Sequence, residues 1–372
     1  MSSKKVFHIV GARPNFMKAA PVIAALKDHP GIHQRLIHTG QHYDKNMSDV
    51  FFQQLGLPSP DINLEVGSGS QAVQTAQIMM SLEEFLLAQP ADLVMVYGDV
   101  NSTIAAALVS VKLGIPVAHV EAGLRSFDRS MPEEINRILT DQISNLLFTP
   151  SLDGNENLKR EGVSPEKIHF VGNVMIDTLV RLLPQAEARP LPQNIPLNGK
   201  PYALITLHRP SNVDNPKNLE RLLGALEKIS RKIQIVFPVH PRTAQRIRQQ
   251  GLENLSRGLF LLDPLGYLDF IALQKKATVV ITDSGGIQEE TTFLGIPCLT
   301  LRKNTERPIT LTLGTNRLVE EPEALPEEVY RAISAGGPRG SVPPLWDGKS
   351  ATRIAEITAT TLGISAPLAA TI

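Results

Sequence analysis

The feature that most constrains this chain is an alternation that runs almost its whole length. Short runs rich in Val, Ile and Leu are each followed by an amphipathic stretch. The runs KVFHIVG (5–11), QRLIHTG (34–40), DLVMVYGD (92–99), IPVAHVEAG (115–123), NLLFTPS (145–151) and IHFVGN (168–173) are apolar at nearly every position. Strands of that kind are buried on both faces, which calls for helices above and below a parallel sheet. Helices are predicted over 15–28, 71–88, 101–113 and 132–144. In the last, Pro132 opens the first turn, Glu133 and Glu134 follow, and Ile135, Ile138, Leu139, Ile143 and Leu146 recur at helical spacing. The stretch 182–201 breaks the rhythm with five prolines and reads as a linker. The alternation then restarts at 202–210, 233–241, 258–264, 277–286 and 295–302. The expected organisation is α/β, with doubly wound domains over 1–180 and 202–352, a linker over 181–201, and a C-terminal helix over 353–372 that packs back on the first domain.

Length supports two cores, since 372 residues exceed what a single core usually serves. The formal net charge is zero, so no basic field is present to draw nucleic acid or anionic lipid. No window offers about 18 uninterrupted apolar residues, and MSSKKVFHIVGARP lacks a secretory apolar run, so a cytoplasmic protein is expected. The single cysteine, Cys298, lies in the apolar run GIPCLTLR and is expected to be inert core.

In open parallel sheets ligands bind beyond the carboxyl ends of the strands. Here those ends read GARPNFMK, YGDVNST, VEAGLRS, TLHRPSN, FPVHPRT and TDSGGIQEE. In the last, Ser284, Gly285 and Gly286 open a helix whose amides suit a phosphate; a tight turn without ligand is the plain alternative. G-x-G-x-x-G and G-x-x-x-x-G-K-[ST] are both absent from these turns. Arg13 and Lys18 flank another helix start, and Arg302 and Arg307 follow the 296–302 strand; each suits an anion or simply a solvated surface. Asp99, Glu121 and Glu133 end strands or open a helix on one rim. Capping would explain Asp99 and Glu133, whereas Glu121 follows an apolar strand and points to acid–base work. His208 and His240 end strands of the second half. No zinc-ligand spacing and no G-x-S-x-G are present, so no metal or cofactor is expected.

GARPNFMKAAPV, VYGDVNST, HVEAGLRS with MPEEINR, GNVMIDT, LHRPSNVDN, PVHPRT, TDSGGIQEE and TERPIT resemble, in collinear order, the UDP-N-acetylglucosamine 2-epimerases. The resemblance implies the GT-B type of fold, two Rossmann-like domains facing across a cleft. It also implies reversible C2 epimerisation of UDP-GlcNAc to UDP-ManNAc, with UDP eliminated to leave 2-acetamidoglucal and then added back. By the same resemblance Asp99, Glu121 and Glu133 form the acid–base set and His208 assists at the sugar–diphosphate junction. Ser284, Gly285 and Gly286 would hold the diphosphate, Glu290 the ribose and Phe270 the uracil. Arg13, Lys18 and Arg307 would neutralise phosphate charge, and Arg209 and His240 would complete the substrate contacts. The expected partners are a UDP-sugar and a second copy of the chain.

Pro210, Ser211 and Leu265 depart from the family pattern, and FDRSMPEEINR also occurs in relatives acting on UDP-diacetamido sugar uronates. A hydrolysing epimerase, a transferase on the same fold and a non-catalytic sugar-nucleotide sensor are the competing readings. The carboxylate trio argues against the transferase, and its completeness against the sensor. Some bacterial members bind a second UDP-GlcNAc through Gln-His-Arg followed after four residues by Gln. Here Tyr43 and Ser48 replace the arginine and the second glutamine, so simple hyperbolic kinetics are expected.

Overall fold

The computed structural model describes residues 3–41, 52, 54–191, 197, 199–334 and 340–364. The chain divides into two compact units, residues 1–178 with 344–372, and residues 179–343. Among the described residues no helix is long and apolar enough to cross a membrane.

Unit 1 is built on β1 (Lys4–Val10), β2 (Ile32–His38), β3 (Ile62–Asn63), β4 (Leu93–Tyr97), β5 (Val117–Val120), β6 (Leu146–Thr149) and β7 (Ile168–Phe170). These lie in the order β3-β2-β1-β4-β5-β6-β7, every pair parallel. Between them run α1 (Arg13–Leu26), α2 (Gln71–Ala88), α3 (Asn101–Lys112), α4 (Pro132–Ile143), α5 (Leu152–Arg160) and α6 (Val174–Glu187). Leu82 and Leu86 of α2 and Ala106, Ala107 and Val109 of α3 cover one face of the sheet at Phe7, Ile9, Val94, Val96 and Val117.

Unit 2 repeats the plan with β8 (Tyr202–Thr206), β9 (Gln234–Pro238), β10 (Leu259–Leu262), β11 (Val279–Thr282), β12 (Cys298–Leu301) and β13 (Asn316–Val319), in the order β10-β9-β8-β11-β12-β13. Its helices are α7 (Pro210–Val213), α8 (Pro216–Ser230), α9 (Pro241–Gln249), α10 (Glu253–Ser256), α11 (Tyr267–Lys276), α12 (Gly285–Leu294), α13 (Ile309–Thr312) and α14 (Leu325–Ser334). The period of two along each strand divides the core. Ala203, Ile205, Ile235, Phe237, Val279 and Ile281 meet Leu219, Leu222, Leu223 and Leu226 of α8. Tyr202, Leu204, Val236 and Val280 face the other way, toward Leu273 of α11 and Ile287 of α12. At about 2 kcal/mol per buried leucine, the α8 stripe is a large fraction of what holds that layer on the sheet. Cys298 is buried in β12, and burial pushes its thiol up to about 11, well away from reactivity at neutral pH.

The order 3-2-1-4-5-6 occurs in both sheets, with β7 added to the first. It makes the direction of winding reverse between β1 and β4, and again between β8 and β11. A crevice opens at each reversal. The β1–α1 turn is tied there by Asn15, whose Oδ1 accepts from the amides of Gly11 and Ala12 and whose Nδ2 donates to the carbonyl of Tyr97.

Two boundaries differ from those expected. The stretch expected as a linker from 181 remains helical in α6 through Glu187, with Pro184 inside the helix. The chain returns to unit 1 at Pro344, ahead of the expected 353. Trp346 is buried there and donates from Nε1 to the carbonyl of Pro150, and the Asp177 carboxylate accepts from the first amides of α15 (Ser350–Thr361). That carboxylate fixes the helix against unit 1 by satisfying amides its own ladder leaves open. β3 and β13 were not anticipated; β3 is two residues long, and β13 is only half buried in its middle.

Candidate active site

In unit 1 the candidate residues gather at the carboxyl end of the sheet. Glu121 is the first residue past β5 and has a left-handed backbone, φ +74°. A non-glycine residue pays for that conformation, and such strain concentrates at functional positions. Its carboxylate is buried and accepts from Lys18 Nζ at 2.6 Å; Lys18 is buried as well. The approach depends on Gly98, at φ +62°, because a Cβ there would lie 2.6 Å from Lys18 Nζ. Lys18, expected at phosphate, is thus the partner of Glu121 in this structure.

Asp99 follows Gly98 and is partly exposed. Arg137 Nε donates to its Oδ2 at 3.1 Å, and Nη2 contacts the same oxygen. Arg137 Nη1 donates to Glu134 Oε2 at 2.8 Å. Glu134 also accepts from the amide and hydroxyl of Ser126 and the amide of Phe127, which pins the loop after Glu121. Glu133 and Arg13 are exposed, Glu133 in the first turn of α4 and Arg13 as the first residue of α1. These groups place four carboxylates, Asp99, Glu121, Glu133 and Glu134, and three cations, Arg13, Lys18 and Arg137, at the carboxyl end of the sheet, a set able to take and return a proton.

Helix α4 buries the side that its apolar spacing does not mark. Its apolar residues Ile135 and Leu139 are exposed, while Glu134, Arg137, Thr140 and Asp141 are buried. Periodicity identified the helix but did not say which of its sides is buried. The buried side is the charged one, because each charge finds a partner there.

In unit 2, Asp283 at the end of β11 organises the loop after β8. Its carboxylate accepts from the amides of His208 and Arg209 and from Asn212 Nδ2, and lies 3.0 Å from His208 Nδ1. Burial opposes its charge, but these donors outweigh that and hold the Asp283 carboxyl below its usual range. The His208 side chain projects to solvent from this anchor, and Arg209 Nε returns to the carbonyl of Asp283. His240 is the N-cap of α9, its Nδ1 accepting from the amide of Arg242. Ser284 precedes α12 without capping it through its side chain, and Gly285 and Gly286 form its first two positions. Beside them Arg307 Nε lies 2.8 Å from Glu289 Oε1, and Nη1 contacts Glu306. An uncapped helix start with glycine at its first residues is a site an anion can approach. Glu290, one turn further, accepts from Tyr267 Oη at 2.7 Å. Burial pushes its carboxyl up to about 7, against the lowering by Tyr267. Phe270 packs half-buried on the adjacent core.

A family model described as UDP-N-acetylglucosamine 2-epimerase matches residues 24–359. The chain belongs to the UDP-N-acetylglucosamine 2-epimerase family. It is 44% identical over 363 residues to a UDP-N-acetylglucosamine 2-epimerase of Methanococcus maripaludis, covering 95% of this chain and 98% of that one. It is 43% identical over 318 residues to a UDP-2,3-diacetamido-2,3-dideoxy-D-glucuronate 2-epimerase of Pseudomonas aeruginosa, covering 85% and 88%. The crystal structure of Methanocaldococcus jannaschii UDP-GlcNAc 2-epimerase in complex with UDP-GlcNAc and UDP superposes with a TM-score of 0.87 and 42% identity over 96% of this chain and 99% of that chain. The two-sheet α/β architecture of this UDP-N-acetylglucosamine 2-epimerase family member is accordingly of the GT-B type.

Sequence reasoning about this family member missed Asp283 and Arg137, which touch His208, Arg209 and Asp99, and Glu134 and Asp141, which hold the loop after Glu121. MPEEINR contains two of them, yet only their side of the helix, which spacing does not give, marks them as internal. The segment 42–51, with Tyr43 and Ser48, lies outside the described residues.

Proposed function

We propose that the chain interconverts UDP-GlcNAc and UDP-ManNAc without net hydrolysis. The observation that carries this reading is Glu121, a buried carboxylate held by Lys18 on a left-handed residue at the carboxyl end of β5, beside Asp99. A C2 hydrogen with no adjacent carbonyl is too weakly acidic for simple deprotonation, so the reaction proceeds by elimination. A carboxylate takes the C2 proton, the C–H pair becomes the C1=C2 bond, and the C1–O bond breaks to release UDP. Delivery of a proton to the opposite face of C2, with return of UDP to C1, gives the epimer. Asp99, Glu121 and Glu133 supply the acid and base on this reading.

In unit 2 the amides of Ser284, Gly285 and Gly286 hold the diphosphate, with Arg307 offsetting its charge; in unit 1 Arg13 is a further cation for the substrate. His208 and Arg209 contact the sugar–diphosphate junction, and His240 lies nearby on the same edge. Glu290 accepts from the ribose and Phe270 lies against the uracil. Lys18 serves the site by holding the Glu121 carboxylate in place through its 2.6 Å contact. The reaction needs no metal or cofactor, so a chelator leaves the rate unchanged.

The proposed setting is the cytoplasm, where the product supplies activated ManNAc for cell-surface polysaccharide. A second copy of the chain is the proposed partner. Val73, Met80 and Leu87 are exposed at seven-residue spacing along one side of α2, an apolar stripe suited to a matching helix.

The test is to incubate the protein with UDP-GlcNAc in D₂O and follow products by NMR. UDP-ManNAc carrying deuterium at C2 is expected. Retention of the original hydrogen would refute elimination, and accumulation of free ManNAc with UDP would replace this reading with the hydrolysing one. The Pseudomonas relative favours a second substrate, a UDP-diacetamido sugar uronate, and Arg129 is exposed on the loop between Glu121 and Glu133. Faster turnover of that sugar in the same assay would establish it.

A further inference from the structure

Behind the carboxylates of unit 1 lies a buried group that the proposed chemistry does not use. His119 in β5 is fully buried. Its Nδ1 is 2.7 Å from Asp141 Oδ1, and its Nε2 is 2.8 Å from the carbonyl oxygen of Gly98. A carbonyl only accepts, so Nε2 donates to Gly98. Asp141, on α4, uses its second oxygen to accept from the amide of Gly123 at 3.1 Å and from Arg125 Nη1 at 2.7 Å. Arg125 in turn donates twice to Glu161, from Nε at 2.7 Å and Nη2 at 2.6 Å. Burial would raise the Asp141 carboxyl, but His119 and Arg125 outweigh it and hold it below its usual range.

The two ends of this chain of contacts matter. Gly98 immediately precedes Asp99 and makes room for Lys18; Gly123 stands two residues after Glu121. One imidazole and one carboxylate therefore grip both loops that carry candidate acid–base groups. They do so from beneath, where neither can touch a sugar without displacing the backbone above it. The same helix also reaches Asp99 through Asn136 and Arg137, and the loop after Glu121 through Glu134, so this pair adds to a grip that α4 already has on both turns. Buried polar groups this fully satisfied fix one arrangement of the backbone.

We propose that His119 and Asp141 are positioning residues, a clamp that sets the spacing of Asp99 and Glu121 by holding the peptides of Gly98 and Gly123. The inference rests on the proposed acid–base reading of those two carboxylates. A clamp of this kind acts on proton transfer, because misplacement by about 1 Å can cost about 10²-fold in rate. It does not act on the nucleotide, which on the same reading is held by unit 2.

The test uses the full-length protein and four substitutions. His119→Phe removes both contacts at similar volume, His119→Gln keeps a donor that can reach the Gly98 carbonyl, and Asp141→Asn keeps shape while replacing an acceptor. Asp99→Asn is the control for the site reading itself. Turnover, KM for UDP-GlcNAc, UDP affinity by calorimetry and melting temperature are measured for each. The clamp predicts kcat lowered about 10²-fold in His119→Phe and Asp141→Asn, with KM and UDP affinity within about twofold. His119→Gln should recover a substantial part of the loss. The double variant His119→Phe/Asp141→Asn should be no slower than the slower single variant, because one unit has been removed.

Near-normal kcat in folded Asp141→Asn and His119→Gln, alongside a large loss in Asp99→Asn, overturns the clamp and leaves the site reading intact. A loss that appears in KM or UDP affinity instead of kcat also overturns it. Near-normal kcat in Asp99→Asn shows that the site reading has failed, and the clamp with it. Should His119→Phe not fold, Asp141→Asn and His119→Gln decide the matter.

Discussion

Replacing Glu121 with glutamine separates what this residue does for folding from what it does for turnover. Glutamine has the same shape and the same cost at φ +74°, so the substitution removes charge and little else. Lys18 and Glu121 are both buried, and their contact is 2.6 Å. Breaking such a pair leaves a cation away from water and typically costs about 3–5 kcal/mol; the amide oxygen still accepts from Lys18, which favours about 3 kcal/mol. Unit 1 comprises residues 1–178 and 344–372. For a unit of roughly 200 residues, about 2.1 cal/mol/K per residue of unfolding entropy converts this to a melting temperature lower by about 7 °C. Turnover should fall by about 10² or more, the usual scale for an acid–base group, with UDP affinity unchanged. The double variant Lys18→Met/Glu121→Gln removes the stranded cation, so most of the melting temperature returns while the rate does not. Melting is followed by circular dichroism and turnover by NMR with UDP-GlcNAc. A single variant that melts and turns over like the parent would refute the reasoning, and so would a double variant as unstable as the single one.

Gly285→Ala should weaken UDP binding by about tenfold in calorimetry, since a Cβ there would collide with Arg307 and lie 2.7 Å from Glu306 Oε1, and a loss of about 1.4 kcal/mol is tenfold. Glu290 titrates at about 7 in the folded chain against an ordinary 4.5, raised chiefly by burial, so the folded state holds a proton the unfolded state has released. The stability this provides is full below about pH 4.5 and is lost as pH rises through about 7; Glu290→Gln should show a smaller fall in urea midpoint over that window than the parent. Met80→Lys with Leu87→Lys should convert a dimer to monomer in sedimentation, and an unchanged mass would assign the α2 stripe another role. Initial rates in UDP-GlcNAc should be hyperbolic, and UDP-ManNAc should react without a lag; a lag removed by trace UDP-GlcNAc would show that Tyr43 and Ser48 still serve an effector site.

Much of the fold was legible because strand burial on both faces leaves a local signature. KVFHIVG and DLVMVYGD are apolar at successive positions, and that pattern alone demands layers of helix on each side. The helix starts at Pro132 and at Ser284-Gly285-Gly286 were equally local, since capping and glycine chemistry act within a few residues. Strand order was not local. That β4 pairs with β1, and β11 with β8, is what brings Asn15 to Tyr97 and Asp283 to His208, and no window of sequence contains both partners. The orientation of α4 was not legible either. Hydrophobic spacing reports which side of a helix is apolar, whereas the side that is buried depends on whether its charges find partners. Glu134, Arg137 and Asp141 find theirs in Ser126, Asp99, His119 and Arg125, drawn from the turn after β4, from β5 and from the loop beyond it. Composition and periodicity determined two sheets and the edges where chemistry would gather. Only the tertiary structure decided that Lys18 would meet Glu121, because that contact exists once β1, β4 and β5 are side by side and Gly98 leaves the space between them.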